Sequence, residues 1–297
     1  MTVSTSALSD FLAAHTSVIR IALTRVRGSS PRNEGTEMFV APCALWGTIG
    51  GGQLEYLAID AARDMLRDGA LQRDMDVPLG PEIGQCCGGR VEMQLIRMRA
   101  SDKRAARDRA RRNDAALPHV YVLGAGHVGR ALADLLQYMP VNCVLIDPRP
   151  EEIAMNTADV DARISVMPEA DIWNAPARSA FVVLTHDHAL DFLLTSAALE
   201  RGDAAYVGMI GSATKRAKFK NWAHKQCDGL TIEQLTCPIG ATGSRDKRPS
   251  VIAAFVVAEV MAEVMAEETS DKAASGPTGA HKTPDTGAHK GRTGKLA

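Results

Sequence analysis

Cys86 and Cys87 stand side by side between Gln85 and the glycines Gly84, Gly88 and Gly89. Vicinal cysteines strain badly as a disulfide, and no second cysteine pair completes a tetrahedral zinc site. Thiolates are soft ligands, so a pair on a bare backbone suits contact with a sulfur-rich metal centre or the handling of transferable sulfur. A plainer reading is one buried, apolar Cys with an incidental neighbour.

Three glycine-rich segments accompany the pair. Gly28-Ser29-Ser30-Pro31-Arg32 reads as a polar loop carrying a guanidinium, or simply a tight turn with a surface arginine. Gly47-Thr48-Ile49-Gly50-Gly51-Gly52 leads into an apolar-striped helix, making Gly51 and Gly52 candidates for an anion cradle at its N-terminus. Gly124-x-Gly126-x-x-Gly129 follows the compact apolar strand 119–123. There the first glycine permits the turn, the second lets a ligand phosphate approach, and the third lets helix and strand pack closely. Asp147 ends the next strand, eighteen residues on, where such folds often bind a ribose hydroxyl.

Other groups fall at the carboxyl ends of later strands, where open α/β sheets place their ligands. Thr185-His186-Asp187-His188 is one; Ser212, a helix cap, with Lys215 and Arg216 behind it, is another; Cys237-Pro238-Ile239-Gly240 is a third. Lys215 and Arg216 could hold a phosphate, or be solvated first-turn residues in a place where cations are disfavoured. His186 and His188 point to opposite faces of an extended segment, so hydrogen bonding to a ligand or to the loop suits them better than a metal site.

These groups need a scaffold of two parts. Residues 1–98 read as a mixed α/β domain: a helix near 7–14 capped by Ser6, strands at 17–26, 37–41, 45–49 and 91–97, and a helix from the glycines to about Arg67. A basic linker at 99–116 follows; Arg97 to Arg112 holds eight basic residues against two acidic ones, fitting a solvated helix or a docking patch for an acidic surface. From 117 to 267 strands at 119–123, 142–146, 163–167, 180–184, 204–210 and 234–237 alternate with helices, the pattern of a Rossmann-like, doubly wound parallel sheet, closed by a helix over 250–267. Residues 268–297 nearly repeat a Thr-Gly-Ala-His-Lys unit and read as a disordered tail.

The 297 residues exceed one ordinary core. A net charge of −1 gives no global pull towards nucleic acid or anionic membrane. The N-terminus shows no secretory pattern, and the longest apolar run, 251–258, is far short of a membrane span. Six cysteines in so long a chain do not suggest a disulfide framework, so the expectation is a cytoplasmic protein with reduced thiols.

In order, Gly28 to Arg32, Gly47 to Gly52, Gln85 to Gly89, Gly124 to Gly129, Thr185 to His188, Tyr206 to Ser212 and Pro238 to Gly240 resemble the xanthine dehydrogenase accessory factor family (XdhC-type). The matches run from about residue 20 to 265. The resemblance implies a protein of purine catabolism that binds the molybdenum cofactor (molybdopterin), a pterin dithiolene with a terminal phosphate. It would act as a chaperone, shielding that cofactor while a cysteine desulfurase partner supports sulfido exchange, and handing it to apo xanthine dehydrogenase. Carried over, Cys86 or Cys87 becomes the candidate contact to molybdenum or its sulfur, with Cys87 taken for the metal, and the glycine loops with Gly51, Gly52, Gly124, Gly126 and Gly129 become candidate phosphate or pterin contacts. Gln85, Asp147, His186, Ser212 and Lys215 complete the candidate cofactor-binding set. A nucleotide alongside the pterin, and a homo-oligomer, stay open.

A carrier predicts no self-sufficient catalytic set, and the sequence offers no nucleophile–base–orienter arrangement. The alternatives are an NAD(P)-dependent oxidoreductase using Gly124 to Gly129 and Asp147 with a histidine as acid or base, and a redox or metal sensor acting through the thiols.

Overall fold

The computed structural model describes residues 5–81, 88–241, 243–244 and 246–274. The amino-terminal part runs α1 (Thr5–Ala14), β1 (Ile19–Arg27), β2 (Glu37–Val40), β3 (Leu45–Gly47), α2 (Gly52–Asp68), β4 (Gln72–Pro78) and β5 (Arg90–Arg97). Its strands form an antiparallel sheet in the order β3-β2-β1-β5-β4. Leu54, Ala58, Ala62 and Met65 of α2 pack on Ile19, Ile21, Leu23, Met93 and Leu95 of the sheet. Gly69, in the left-handed region at φ 84°, ends α2 by donating its N–H to Met65 O at 3.2 Å.

Two details depart from the sequence reading. The first helix starts at Thr5, so Ser6 lies inside it and is not its cap. Strand β4 was not expected: Gln-Arg-Asp-Met-Asp-Val-Pro carries few apolar residues. As an edge strand it is held by backbone pairing to β5 and by surface links, among them Arg90 Nε to Asp76 Oδ1 at 2.6 Å.

Helix α3 (Ala100–Ala115) follows, and its cations are not simply solvated. Lys103 Nζ donates to the carbonyls of His15 and Thr16 beyond the end of α1, Arg107 reaches Ser9 O at 3.4 Å, and Arg109 pairs with Glu37 at 2.8 Å. Helix α3 is thereby fastened to α1, with Leu8, Leu12 and Ala106 buried between them.

The carboxyl-terminal part comprises β6 (His119–Leu123), α4 (His127–Leu136), β7 (Asn142–Asp147), α5 (Pro150–Ala154), β8 (Asp161–Ile164), α6 (Pro168–Asn174), β9 (Ala180–Val183), α7 (His188–Glu200), β10 (Tyr206–Met209), α8 (Ala213–Gln226), β11 (Leu235–Thr236) and α9 (Pro249–Ala274). The strands lie in the order β11-β10-β9-β6-β7-β8, all parallel. This is a doubly wound Rossmann order, with the topological switch between β6 and β9. One face packs on α4 and α9 through Leu132, Leu136, Val256 and Val260; the other packs on α7 and α8 through Leu194, Ala198, Phe219 and Ala223. With apolar layers on both sides, the inner strands read as unbroken apolar runs.

Strand β8 begins two residues earlier than expected and ends at Ile164, because Pro168 opens α6 and leaves residues 165–167 as a connection. Helix α9 runs on to Ala274, past the Glu267 at which the sequence reading ended it; the Ala- and Glu-rich stretch 266–274 favours helix.

Candidate functional site

The Gly124–Gly129 loop sits at the switch between β6 and β9. Gly124 has φ +125°, and a Cβ there would overlap the Leu184 carbonyl just past the end of β9. A side chain at Gly129 would run into Gly124 O, whereas one at Gly126 would meet open space. Two of the three glycines are thus needed for packing, and Gly126 is the one that bares the N-terminus of α4.

Asp147, 1% exposed, is drawn into the loop. Oδ2 accepts the Ala125 N–H at 2.7 Å and Arg149 Nη2 at 2.9 Å; Oδ1 accepts Arg149 N at 3.0 Å and Nε at 2.9 Å. Burial pushes the carboxyl pKa up, but these bonds and the Arg149 charge outweigh it and hold it below the ordinary aspartate range. Arg149 continues to Glu152, and Glu152 to Arg130, whose guanidinium also donates to Ala125 O. A chain of alternating charges therefore braces both sides of Ala125. With four donors on its two oxygens, Asp147 is committed to this brace and not turned to a ribose.

At the next strand ends, Asp191 joins two loops. Its Oδ1 accepts from Thr185 N at 2.9 Å and lies 2.8 Å from the Thr185 hydroxyl; its Oδ2 meets Lys215 Nζ, which also donates to Ile210 O at 2.9 Å. Asp191 is 1% exposed and the Lys215 side chain 11%. The stem of Lys215 crosses Gly211 so closely that a Cβ there would lie 2.7 Å from Lys215 Cδ. Ser212 caps α8, its hydroxyl accepting from Lys215 N at 3.2 Å, and Asp187 caps α7 through Ala189 N at 2.7 Å. His186 and His188 are both exposed. Lys215, expected as a phosphate contact, is instead the buried partner of Asp191.

Cys237 follows β11 and is half-buried; burial raises its thiol pKa, only partly offset by the nearby Lys215 and Arg216 charges. The Cys237–Pro238 bond is cis, and Gly240 N donates to Glu259 Oε2 at 2.9 Å. That same oxygen accepts the Tyr206 hydroxyl at 3.1 Å, tying α9 to β10 and to this turn.

In the amino-terminal part, three segments far apart in sequence meet. A Cβ at Gly50 would lie 2.5 Å from Pro31 Cγ, and one at Gly28 would lie 3.2 Å from the Gly89 α-carbon. Ser29 and Gly88 form an isolated bridge. Leu79 exchanges backbone bonds with this arm, donating to Gly89 O at 2.8 Å and accepting from Gly88 N at 2.9 Å. Gln85, Cys86 and Cys87 lie outside the described residues. The arm that directly follows them rests on the Gly28–Ser29 turn, which in turn abuts the Gly47–Gly52 loop.

The anion cradle expected at Gly51 and Gly52 is partly taken from within, at Gly51. Glu55 Oε2 accepts from Thr48 Oγ1 at 2.5 Å, Ile49 N at 3.1 Å and Gly51 N at 3.0 Å. The carboxylate thus neutralises the loop that leads into α2, taking N–H groups that an external anion would share. A side chain at Gly51 or Gly88 would still meet open space, so bare backbone remains accessible there.

Asp191, Glu55, Arg130 and Glu152 were not singled out in the sequence. Asp191 leaves a trace there, as an acid set within the apolar stretch of its helix and followed by Leu194, Ala197 and Ala198. Among the described residues no group of three metal-ligating side chains converges.

Residues 11–74 match the family model described as the XdhC and CoxI family, and residues 120–260 match that described as the XdhC Rossmann domain. A crystal structure described as a xanthine dehydrogenase from Bacillus halodurans superposes with a TM-score of 0.74 at 17% identity, covering 92% of this chain and 98% of that one; at such identity the likeness speaks for the fold. No curated protein matches the chain.

Proposed function

Because the chain belongs to the XdhC and CoxI family, we propose that it is an accessory protein of xanthine dehydrogenase maturation whose cargo is the molybdenum cofactor. In this reading it binds the cofactor, protects it while a cysteine desulfurase supports sulfuration, and delivers it to apo xanthine dehydrogenase. Membership in the family suggests the maturation role; the cargo and the delivery steps are our own extension.

The observation that carries the proposal is the meeting of the Gly28–Arg32, Gly47–Gly52 and Gly88–Gly89 segments at the root of the cysteine-bearing arm. Gly51 and Gly88 turn bare backbone outward there, which fits a bulky planar group approaching the arm. Glu55 limits that fit: its carboxylate already accepts the Ile49 and Gly51 N–H groups of the loop and sets a negative charge there, so we assign the terminal phosphate of the cargo to another point. The exposed start of α4 beside Gly126 has the character such an anion needs. Cys86 and Cys87 supply the soft ligands in this proposal, with Cys87 nearest the metal.

A second reading, an NAD(P)-dependent oxidoreductase, is favoured by the Rossmann strand order and the open face at Gly126. It is weakened by Asp147, whose oxygens are taken by Arg149 and Ala125.

The deciding experiment is co-elution of purified protein with molybdenum cofactor, read by absorbance, metal analysis and pterin content, with NADH as comparison ligand. Near-stoichiometric molybdenum and pterin in the wild type, lost in the Cys86→Ala/Cys87→Ala double variant, is the expected result. NADH retention without molybdenum would reverse the order of the two readings.

A further inference from the structure

Helix α8 carries Lys215, Arg216, Lys218, Lys220 and Lys225 in 14 residues, with His224 and no acidic residue. Lys215 is turned inward to Asp191, but the other lysines are exposed and make no ion pair with any described residue. Like charges spaced three or four apart destabilise a helix, and cations in its first turn oppose the dipole. With the whole chain at −1, this is a local concentration of charge and not a reflection of composition.

Helix α3 shows what a structural role for such cations looks like. There Lys103, Arg107 and Arg109 each close on a carbonyl or carboxylate of a neighbouring element. On α8 only Lys215 and Arg216 do so, Arg216 reaching Ile232 O at 3.3 Å.

Arg216, Lys220 and His224 recur every fourth residue and line one wall of a cleft of about 240 Å³, whose other wall is the turn from Gly229 to Glu233. The stripe is about 12 Å long at the helical rise. Sites for whole small ligands run to about 300–1,000 Å³, so the cleft is sized for a single anionic side chain and not for a dinucleotide. Glu233 on the far wall repels a dense polyanion while still offering an acceptor to an N–H of a peptide. Trp222 and Leu230, both half-buried, supply apolar surface on the same two elements.

We propose that this face of α8 docks an acidic segment of a partner protein, one carboxylate of which seats between Arg216, Lys220 and His224. The inference rests on charge placement and is independent of the cargo.

The test uses the full chain and a fluorescent hexaglutamate peptide, followed by anisotropy at low and high salt. Two charge-matched variants are compared: Arg216→Glu/Lys220→Glu on the cleft wall of α8, and Arg111→Glu/Arg112→Glu on the exposed side of α3. The expected result is salt-sensitive binding, weakened about tenfold or more by the α8 variant and unchanged in the α3 variant. Should charge reversal unfold α8, Arg216→Gln/Lys220→Gln gives the same comparison. The proposal is overturned by equal weakening in both variants, by no binding to the wild type, or by an α8-dependent preference for a thymidine dodecanucleotide over the peptide.

Discussion

Lys215 on α8 reaches Asp191 on α7 beneath the carboxyl edge of the parallel sheet, so that one salt link holds the Thr185 and Ile210 loops in register. Both side chains are largely shut off from solvent, at 11% and 1% exposure.

Breaking such a pair from one side leaves an uncompensated buried charge. Lys215→Met and Asp191→Asn should each cost about 3–5 kcal/mol, while the double variant should cost well under their sum. Urea unfolding midpoints of the four proteins test this; simple additivity would show that the two residues act separately.

The loop glycines should divide into two kinds. Gly129→Ala places a methyl on Gly124 O and should destabilise the carboxyl-terminal part by several kcal/mol. Gly126→Val meets no atom of the protein and should fold normally while losing whatever the α4 N-terminus holds. Thermal unfolding separates the two, and a folded Gly126→Val protein with undiminished ligand binding would reduce this loop to a packing element.

Glu55→Ala should cost about 1–2 kcal/mol, because it leaves the Ile49 and Gly51 N–H groups without their acceptor and removes a negative charge from the first turn of α2. Inorganic phosphate should restore part of that loss in the variant and do nothing for the wild type, which already holds its own anion. Equal phosphate effects on the two proteins would disprove the substitution of one anion for the other.

His119, half-buried at the start of β6, has its pKa lowered by burial and, secondarily, by the Arg163 charge. The folded state therefore binds its proton less readily than the unfolded chain does. Its contribution to stability is intact above the ordinary histidine value of 6.5 and is lost as pH falls below it. His119→Gln should flatten the stability profile below the ordinary histidine value of 6.5; an NMR titration midpoint for His119 at or above 6.5 would contradict the argument.

The alternation of apolar strands with helices from His119 onward was legible because a doubly wound sheet buries both faces of its strands, leaving unbroken apolar runs. The same logic hid β4, an edge strand whose Asp74, Asp76 and Arg73 satisfy solvent and cross-strand partners and not a core. The glycine loops were recognisable as loops, but not what fills them. Lys215 turns inward to a partner on another helix, which no local spacing encodes, so an expected phosphate contact is found in a buried ion pair; Glu55 folds back on its own loop by choice of rotamer, a local reach that the residue types leave open. Similarly, the charge run of α3 carried no sign that Lys103 and Arg107 would close on the carbonyls of α1.

The backbone exchange between Leu79 and the Gly88–Gly89 arm joins the two ends of the β4–β5 hairpin above the sheet. The entropy of closing the chain between them is thus met by the hairpin itself, and grows only by about 0.6 kcal/mol for each doubling of the intervening length. By that closure, the pairing of β4 with β5 depends only weakly on how much chain lies between Leu79 and Gly88.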